Sequence, residues 1–569
     1  MKKKGGIVKV ILVPLTLLFF VNIASHFFHS GIDLTSEKRF TISTPTKELL
    51  AKIEKPLTLT VFLKGDMPAG FKRLAGAADD MANTFKSLSG GKFQIEFLRP
   101  GEGLDDSTKA YLFDSLQAMG INPTNVKAQV KQGEQLEETL LFPGAILSSG
   151  DRQLGIDFLV GQSNTNGIQS LNNAEALLEF KIAKAIVKIQ QDTFPVIGYL
   201  TGNGEPLDMS VYDLIEGVIR PNYGFQVLPI DSIAYIPSVF KALIIVKPSI
   251  AFNTEQKLKI DQYIMRGGKV IWAIDNIYAS MDSLQRSSGS FVAFDRGLNL
   301  DDQLFTYGVR INRDLVQDLE SDKVPSVIGN LGDKPQIELL PWPYSPLLRN
   351  TSGHPISQNL DYVLSSFPQS IDTIAVDGVH HENLLSTSDY SRSLPSPAMV
   401  EWRSIKNEED LRNFTIKNIP VVTLSTGTFK SVFNNRLTNT QLDNLKAVGM
   451  EYIPASLTPN QLIVFSDADI LLNVVSEKEG PLPIGMNSYT REQFANRDFI
   501  GNCLFFLTGG DKIMEARAKT FQLRLLDKEK LENERSTWQL ISVLSPFIFP
   551  LLIGLIFPIL RKRKFARVS

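Results

Sequence analysis

Gly202-Asn203-Gly204-Glu205 is the segment whose residue types and spacing best fit ligand chemistry. It follows an apolar run at 194–200 and precedes a helical pattern over 209–219. Strand, glycine-rich loop and helix in that order open a doubly wound α/β unit, which holds ligands at the carboxyl ends of its strands. A phosphate there would take the loop amides and the positive end of the helix. The pattern is too short for G-x-G-x-x-G, and no G-x-x-x-x-G-K-[ST] occurs in the chain, so there is no ATP-hydrolysing P-loop. Two readings stand at this loop, a ligand cradle and a tight structural turn. Asp275 closes a later apolar run and is expected to face the same crevice, although aspartate is also a common turn former.

Nucleophilic chemistry needs more than a crevice. An amidotransferase or hydrolase on such a sheet carries Cys or Ser on a strained strand-to-helix elbow with a His partner. Here the apolar run at 242–246 leads instead into Lys247-Pro248-Ser249. Cys503, the one cysteine, lies far along the chain in an apolar helical run and reads as a buried small hydrophobe. A lone cysteine also forms no intrachain disulfide, CxxC pair or thiolate zinc site. His380-His381 is the one adjacent histidine pair, and adjacent residues on a strand face opposite ways. It reads as a solvated loop rather than a metal site. No catalytic residue, metal ligand or cofactor is assigned.

The elements that must position these residues follow from periodicity. A helix from Pro45 to Lys52, a β-branched strand at 57–63, a helix at 71–88, an alternating strand at 93–98 and a helix at 105–119 come first. Strands at 140–147 and 153–158 follow, with 148–151 as their turn. The order β-α-β-α-β-β over residues 33–170 predicts a thioredoxin-like domain, without the thiolate that a thioredoxin enzyme needs. A linker helix over 171–193 has Asn172 or Asn173 as its expected cap.

The second domain is expected over 194–470. After the Gly202 loop come strands at 224–230, 242–246 and 269–275, with a helix at 254–266 that stops at Gly267-Gly268. Residues 242–246 are apolar on both faces, as a central parallel strand should be. This predicts a flavodoxin-like doubly wound sheet. The pattern breaks up over 280–410, which reads as a partner-facing or lid-like insertion. Runs at 420–425 and 462–467 read as late strands of the same sheet. A helical stalk is expected over 490–537, with an apolar helix at 498–507 and both signs of charge mixed from Asp511 onward.

Both ends of the chain are apolar runs with basic flanks. Residues 10–28 follow Lys2, Lys3 and Lys4, and residues 538–560 precede Arg561-Lys562-Arg563-Lys564. A bilayer core needs about 20 residues of helix, and flanking Lys and Arg stay on the cytoplasmic side. The expectation is two transmembrane helices, cytoplasmic basic tails at 1–9 and 561–569, and a periplasmic body. The formal net charge of -2 hides a division. Nine of the 59 Lys and Arg lie in the tails, which hold no acid, so the rest carries 50 bases against 61 acids. An acidic body argues against nucleic acid, whose binding rests on neutralising phosphates.

Several short segments together resemble a known family. They are Asp33-Leu34-Thr35 with Lys38-Arg39-Phe40, Leu200 to Glu205, Asp261-Gln262-Tyr263-Ile264 with Gly267-Gly268-Lys269, and Asn496-Arg497-Asp498-Phe499 with Leu523-Arg524-Leu525-Leu526-Asp527. Over nearly its whole length the chain resembles the gliding-motility-associated ABC transporter auxiliary subunits of Bacteroidetes. The resemblance implies a non-enzymatic, inner-membrane auxiliary subunit of substrate-binding type, with a separate ABC permease and ABC ATPase as partners. It also implies a second domain like the class I glutamine amidotransferases but without their catalytic residues. Two other functions compete: an envelope scaffold with no transport role, and a membrane-tethered enzyme using the α/β crevice.

Overall fold

The structure is a computed structural model. It describes residues 41–128, 137–159, 167–191, 193–287, 289–331, 334–402, 404–405 and 407–518, and then 534, 536–548, 552, 556–557 and 559. By contacts the chain divides into two units, Met1–Thr520 and Phe521–Ser569.

The first domain begins with helix α1 (Thr44–Ala51), whose first turn is capped by the Ser43 side chain. Strand β1 (Leu57–Val61) pairs in parallel with β2 (Phe93–Phe97), and helix α2 (Ala69–Leu88) connects them. Helix α3 (Asp106–Ala118) is capped by Asp105, which accepts from the amides of Ser107 and Thr108. The apolar run expected as one strand at 140–147 is two, because it breaks at Phe142-Pro143 and proline cannot continue a ladder. Its first part belongs to a hairpin of β3 (Thr124–Ala128) and β4 (Glu137–Leu141). Its second part is β5 (Gly144–Ser149), antiparallel to both β1 and β6 (Arg152–Asp157). The main sheet has the order β2-β1-β5-β6.

Helix α4 (Gly167–Gln190) starts before the expected position. Asn172 therefore lies inside the helix and accepts from the Arg73 guanidinium of α2 rather than capping. Nor is α4 a spacer. Leu178, Ile182, Ala185, Ile186 and Ile189 are buried in the core of the first domain, while Phe180 and Ala183 belong to the core of the second. Two apolar faces on one helix make it a wall common to both cores.

The second domain is built on a seven-stranded sheet. Strands β7 (Val196–Thr201), β8 (Gly224–Pro229), β9 (Phe240–Val246) and β10 (Lys269–Ala273) are parallel, with helix α5 (Thr254–Met265) between the last two. Strand β11 (Val379–Ser386) comes out of the expected insertion, so that segment supplies a sheet edge as well as an elaboration. Strand β12 (Pro420–Gly427) is antiparallel to β13 (Asn460–Phe465), and β13 is parallel to β10. The order is β11-β12-β13-β10-β9-β7-β8. Its parallel part has the 2-1-3-4-5 order of flavodoxin-like sheets, which places the topological switch point between β7 and β9.

Strand β9 shows why the centre holds. Ala242, Ile244 and Val246 enter one core and Leu243 and Ile245 the opposite one, all fully buried. Each such large side chain contributes about 1.5–3 kcal/mol on burial. Between β7 and β8 the expected helix is instead a short 3₁₀ turn, Met209–Val211, and a π-helical turn, Asp213–Ile219. The rest of the insertion is rich in β structure, including a long hairpin of Ser321–Leu331 with Lys334–Leu348. It packs a core of its own around Trp342, Tyr344 and Phe367.

The expected stalk is a correction. Helix α6 (Asn496–Phe505) and the turns after it bury Phe499, Ile500, Cys503, Leu504, Met514 and Ala516 in the second domain's core. Residues 519–533 of the expected stalk lie outside the described ones. The apolar run at 10–28 also lies outside them. Of the run at 538–560, residues 536–548 are helical, with Trp538, Leu540, Val543 and Phe547 exposed. No helix among the described residues is long and apolar enough to cross a membrane.

Candidate functional site

The loop Gly202 to Glu205 sits at the carboxyl end of β7, beside the switch point, as the sequence predicts. Its polar groups are engaged from within. The Asn203 amide donates to Glu205 Oε2 at 2.7 Å, and the Asn203 carbonyl accepts from the amides of Ser249 (2.8 Å) and Ile250 (2.9 Å) beyond β9. The Asn203 side chain donates to Gln256 Oε1 (3.0 Å) on the first turn of α5. Gln256 in turn completes a capping box with Asn253 and donates to Asp231 at 2.8 Å. Tyr199 closes the loop by donating to the Pro206 carbonyl at 2.6 Å.

Two glycines make this geometry possible. Gly204 has φ +79°, and a Cβ there would stand 2.1 Å from Ser249 Oγ. Gly202 has φ +134°, with Ile230 Cγ2 at 2.8 Å from the same construction. Both are left-handed positions that an L side chain adopts only with strain.

The electrostatics run against phosphate. Burial pushes the Glu205 carboxyl upward, the amides of Glu205, Asn203 and Gly202 oppose that rise, and Asp231 adds to it. A carboxylate of the chain occupies the amides that a bound anion would use. The atoms left buried without a partner are Asn203 Oδ1 and Glu205 Oε1, both acceptors. The loop therefore offers acceptors, the wrong polarity for a phosphate, and ties the two sides of the switch point together.

Asp275 lies at the carboxyl end of β10 but in a separate network. It accepts from the Ala468 amide at 2.7 Å and pairs with Lys247 at 3.3 Å. Lys247 also pairs with Asp469. It holds φ +48°, uncommon for a residue with a side chain. Burial opposes its charge, but Asp469 and Asp275 outweigh burial and keep the ammonium protonated well above its usual range. Asp467, fully buried, is pushed well above the usual carboxylate range by burial, then by Asp469 and Asp275, although Ser365 and the Ser366 amide (2.6 Å) donate to it. Among the described residues the loop network and the aspartate network share no side chain. They meet at the segment after β9, where Lys247 faces one and Ser249 and Ile250 the other.

Cys503 is fully buried, and burial pushes its thiol far up, so it is no nucleophile. His380 and His381 lie on β11 rather than in a loop. His380 is exposed, while His381 is hydrogen-bonded through Nδ1 to Ser425 Oγ (2.8 Å) and through Nε2 to the Ile374 carbonyl (3.2 Å). The carbonyl can only accept, which assigns the ring hydrogen to Nε2. Among the described residues no group of three or more His, Cys, Asp or Glu is arranged to hold a metal ion.

Sequence reading missed two polar centres. Asp261 on α5 accepts from Tyr307 (2.8 Å), Ser431 (2.7 Å) and the Val432 amide (3.1 Å), pinning two distant segments to one carboxylate. Lys181, Lys184 and Lys188 on α4 line a cleft with Arg497, Asp498 and Arg517. Their spacing along one helix face was visible in the chain; that they face a second domain was not.

The class these features define is a two-domain α/β protein whose doubly wound sheet fills its switch point with its own side chains. Residues 195–503 match the family described as ABC-type uncharacterized transport system, and the chain belongs to that family, an auxiliary one of ABC transport. The match runs from β7 into α6. Residues 36–148 match a domain of unknown function. No curated protein matches the chain. Among solved structures, the mmIFT52 N-terminal domain is similar at 12% identity with a TM-score of 0.31, covering 56% of this chain and 98% of that one.

Proposed function

We propose that the chain is a non-catalytic, membrane-anchored auxiliary subunit of an ABC transporter complex, working with a separate permease and ATPase in bacterial gliding motility. The family membership supports a role beside an ABC transporter. One observation carries the non-catalytic part. The Glu205 carboxylate fills the loop at the switch point, where a doubly wound enzyme would receive its ligand.

The membrane part rests on the sequence and on the second unit taken alone. Its helical residues 536–548 carry exposed Trp538, Leu540, Ile541, Val543, Leu544 and Phe547, spread around the helix rather than along one stripe. A helix that is apolar all round is buried in protein or in lipid. In this reading the basic tails lie in the cytoplasm, the acidic body in the periplasm of a Bacteroidetes cell, and motive power comes from the partner ATPase.

Purification of the full chain in mild detergent, followed by mass spectrometry, tests the complex. Recovery of a permease and an ATPase in fixed ratio is expected, and their absence from chemically cross-linked material overturns it. Deleting the gene and scoring colony spreading tests the motility role, which normal spreading would refute.

A further inference from the structure

We propose that the cleft between α4 and α6 is a binding site for a small polyanion, a phosphate ester or polycarboxylate, held by Lys184 and Arg517. The cleft has a volume of about 530 Å³. Its walls come from the end of α3 and from β6 in the first domain, from α4, and from residues 216–222 and α6 in the second. Five cations line it, Lys181, Lys184, Lys188, Arg497 and Arg517, against three carboxylates, Asp157, Glu216 and Asp498.

Three of the cations are committed. Lys181 donates to the carbonyls of Asp157 (3.0 Å) and Phe158 (2.8 Å), Lys188 to the Asn222 side chain, and Arg497 to the Gly217 carbonyl (2.8 Å). The other two are not. The Lys184 ammonium lies over the rings of Phe505 (5.2 Å) and Phe180 (5.7 Å), with no hydrogen bond or ion pair among the described residues. Arg517 is 3% exposed, stacks 5.3 Å from the Phe180 ring centroid, and leaves Nε and Nη2 without hydrogen-bond partners.

Packing of cations on aromatic rings accounts for the ring contacts. It does not account for buried guanidinium donors left empty, which cost about 1–3 kcal/mol each and more when charged. The site presents donors and positive charge, the complement of anionic oxygens, and Arg is the residue suited to planar oxyanion recognition. The volume exceeds that of a bare phosphate, and the side-chain amides of Gln117, Asn122 and Asn502 stand on the walls, where hydroxyls of a larger ligand would meet them.

Proton linkage gives the site a signature. Burial foremost brings Lys181 and Lys188 down to about 8 and Lys184 well below its ordinary value. Burial likewise brings Arg517 down to about 10, and Asp498, itself raised by burial, favours the charge of its cationic neighbours. Glu216, Asp157 and Arg497 complete the titratable lining. A bound anion lifts the lysines, so binding near pH 8 takes up protons.

The inference concerns the chain itself and does not depend on the transporter reading. Its test is titration calorimetry of the full chain in detergent with inorganic pyrophosphate and, separately, with citrate, in two buffers of different ionisation enthalpy. Saturable binding with proton uptake is expected. Lys184→Met and Arg517→Met are each expected to weaken binding by about tenfold or more, while the ligand-free melting temperature stays level or rises. A preference for pyrophosphate identifies a phosphate ligand, and a preference for citrate a carboxylate. No saturable binding of either probe by the wild-type chain overturns the proposal, as does wild-type affinity in both variants. Should a variant fail to fold, Lys184→Gln and the wild-type titration decide the question alone.

Discussion

Glu205 Oε2 lies 2.7 Å from the Asn203 amide nitrogen, so the chain's own carboxylate occupies the place in the loop that an anionic ligand would take. Gln can supply the same accepting oxygen, whereas Ala cannot. Glu205→Gln is expected to hold the fold within about 1 kcal/mol, and Glu205→Ala to cost about 1–3 kcal/mol by orphaning buried amides. Chemical denaturation of both variants checks the order. The raised Glu205 carboxyl adds a pH signature. Its stabilising effect is full below the ordinary carboxylate range and is lost as pH rises through its folded value. The glutamine variant therefore gains on the wild type as pH rises above the ordinary carboxylate range.

Gly204→Ala sets two separable penalties against each other. The left-handed backbone costs about 1–2 kcal/mol for any L residue, and the added methyl meets Ser249 Oγ at 2.1 Å. A double-mutant cycle with Ser249→Ala is expected to recover the steric part and leave the backbone part. Strict additivity in melting experiments would show that the two loops do not press on each other.

Lys247→Met removes the cation that Asp275 and Asp469 share. Breaking a buried pair by removing one partner costs about 3–5 kcal/mol, because the remaining charge has no counterion. The expected loss is larger than for either Asp275→Asn or Asp469→Asn, each of which leaves Lys247 one carboxylate. Equal losses in all three would deny the shared-cation arrangement.

The lysines of α4 predict a rise in stability with alkalinity. Lys181 and Lys188, at about 8 in the folded chain, sit below their ordinary value of 10.5. A depressed value means stability present above the unfolded pKa and lost as pH falls through the folded one. The melting temperature of the wild type relative to Lys188→Met is therefore expected to rise between about pH 7.5 and 10. A difference that is flat with pH would contradict the burial of these ammonium groups.

Cys503→Ser places a hydroxyl where the fully buried thiol now packs. Burying a hydroxyl without a partner costs about 1–3 kcal/mol, and Cys503→Ala leaves only a small void. In the native chain Cys503 is expected to resist maleimide, with labelling appearing only on denaturation. Rapid native labelling would place the thiol outside the core.

Much of this was written in the chain. The apolar continuity of residues 242–246 declared a strand covered on both faces, and the strand, Gly202 loop and turn of helix after it declared a doubly wound sheet. Both follow from local periodicity and from what glycine alone tolerates. Local pattern misread other segments. The Lys, Arg, Asp and Glu from Asp511 onward looked like one solvated stalk, yet Met514 and Ala516 are buried. Asn172 looked like a cap because capping is a local rule, and a distant Arg73 took its oxygen instead.

The sequence by itself determined the strand order's raw material, the lone inert cysteine, the basic ends and the absence of a P-loop motif. Tertiary structure alone decided that Glu205 fills its own loop, that Asp275 answers to Lys247 rather than to that loop, and that Lys184 and Arg517 meet across a cleft. The physical reason is range. Periodicity and backbone tolerance act within a few residues, whereas the partners of a buried charge come from wherever the folded chain places them.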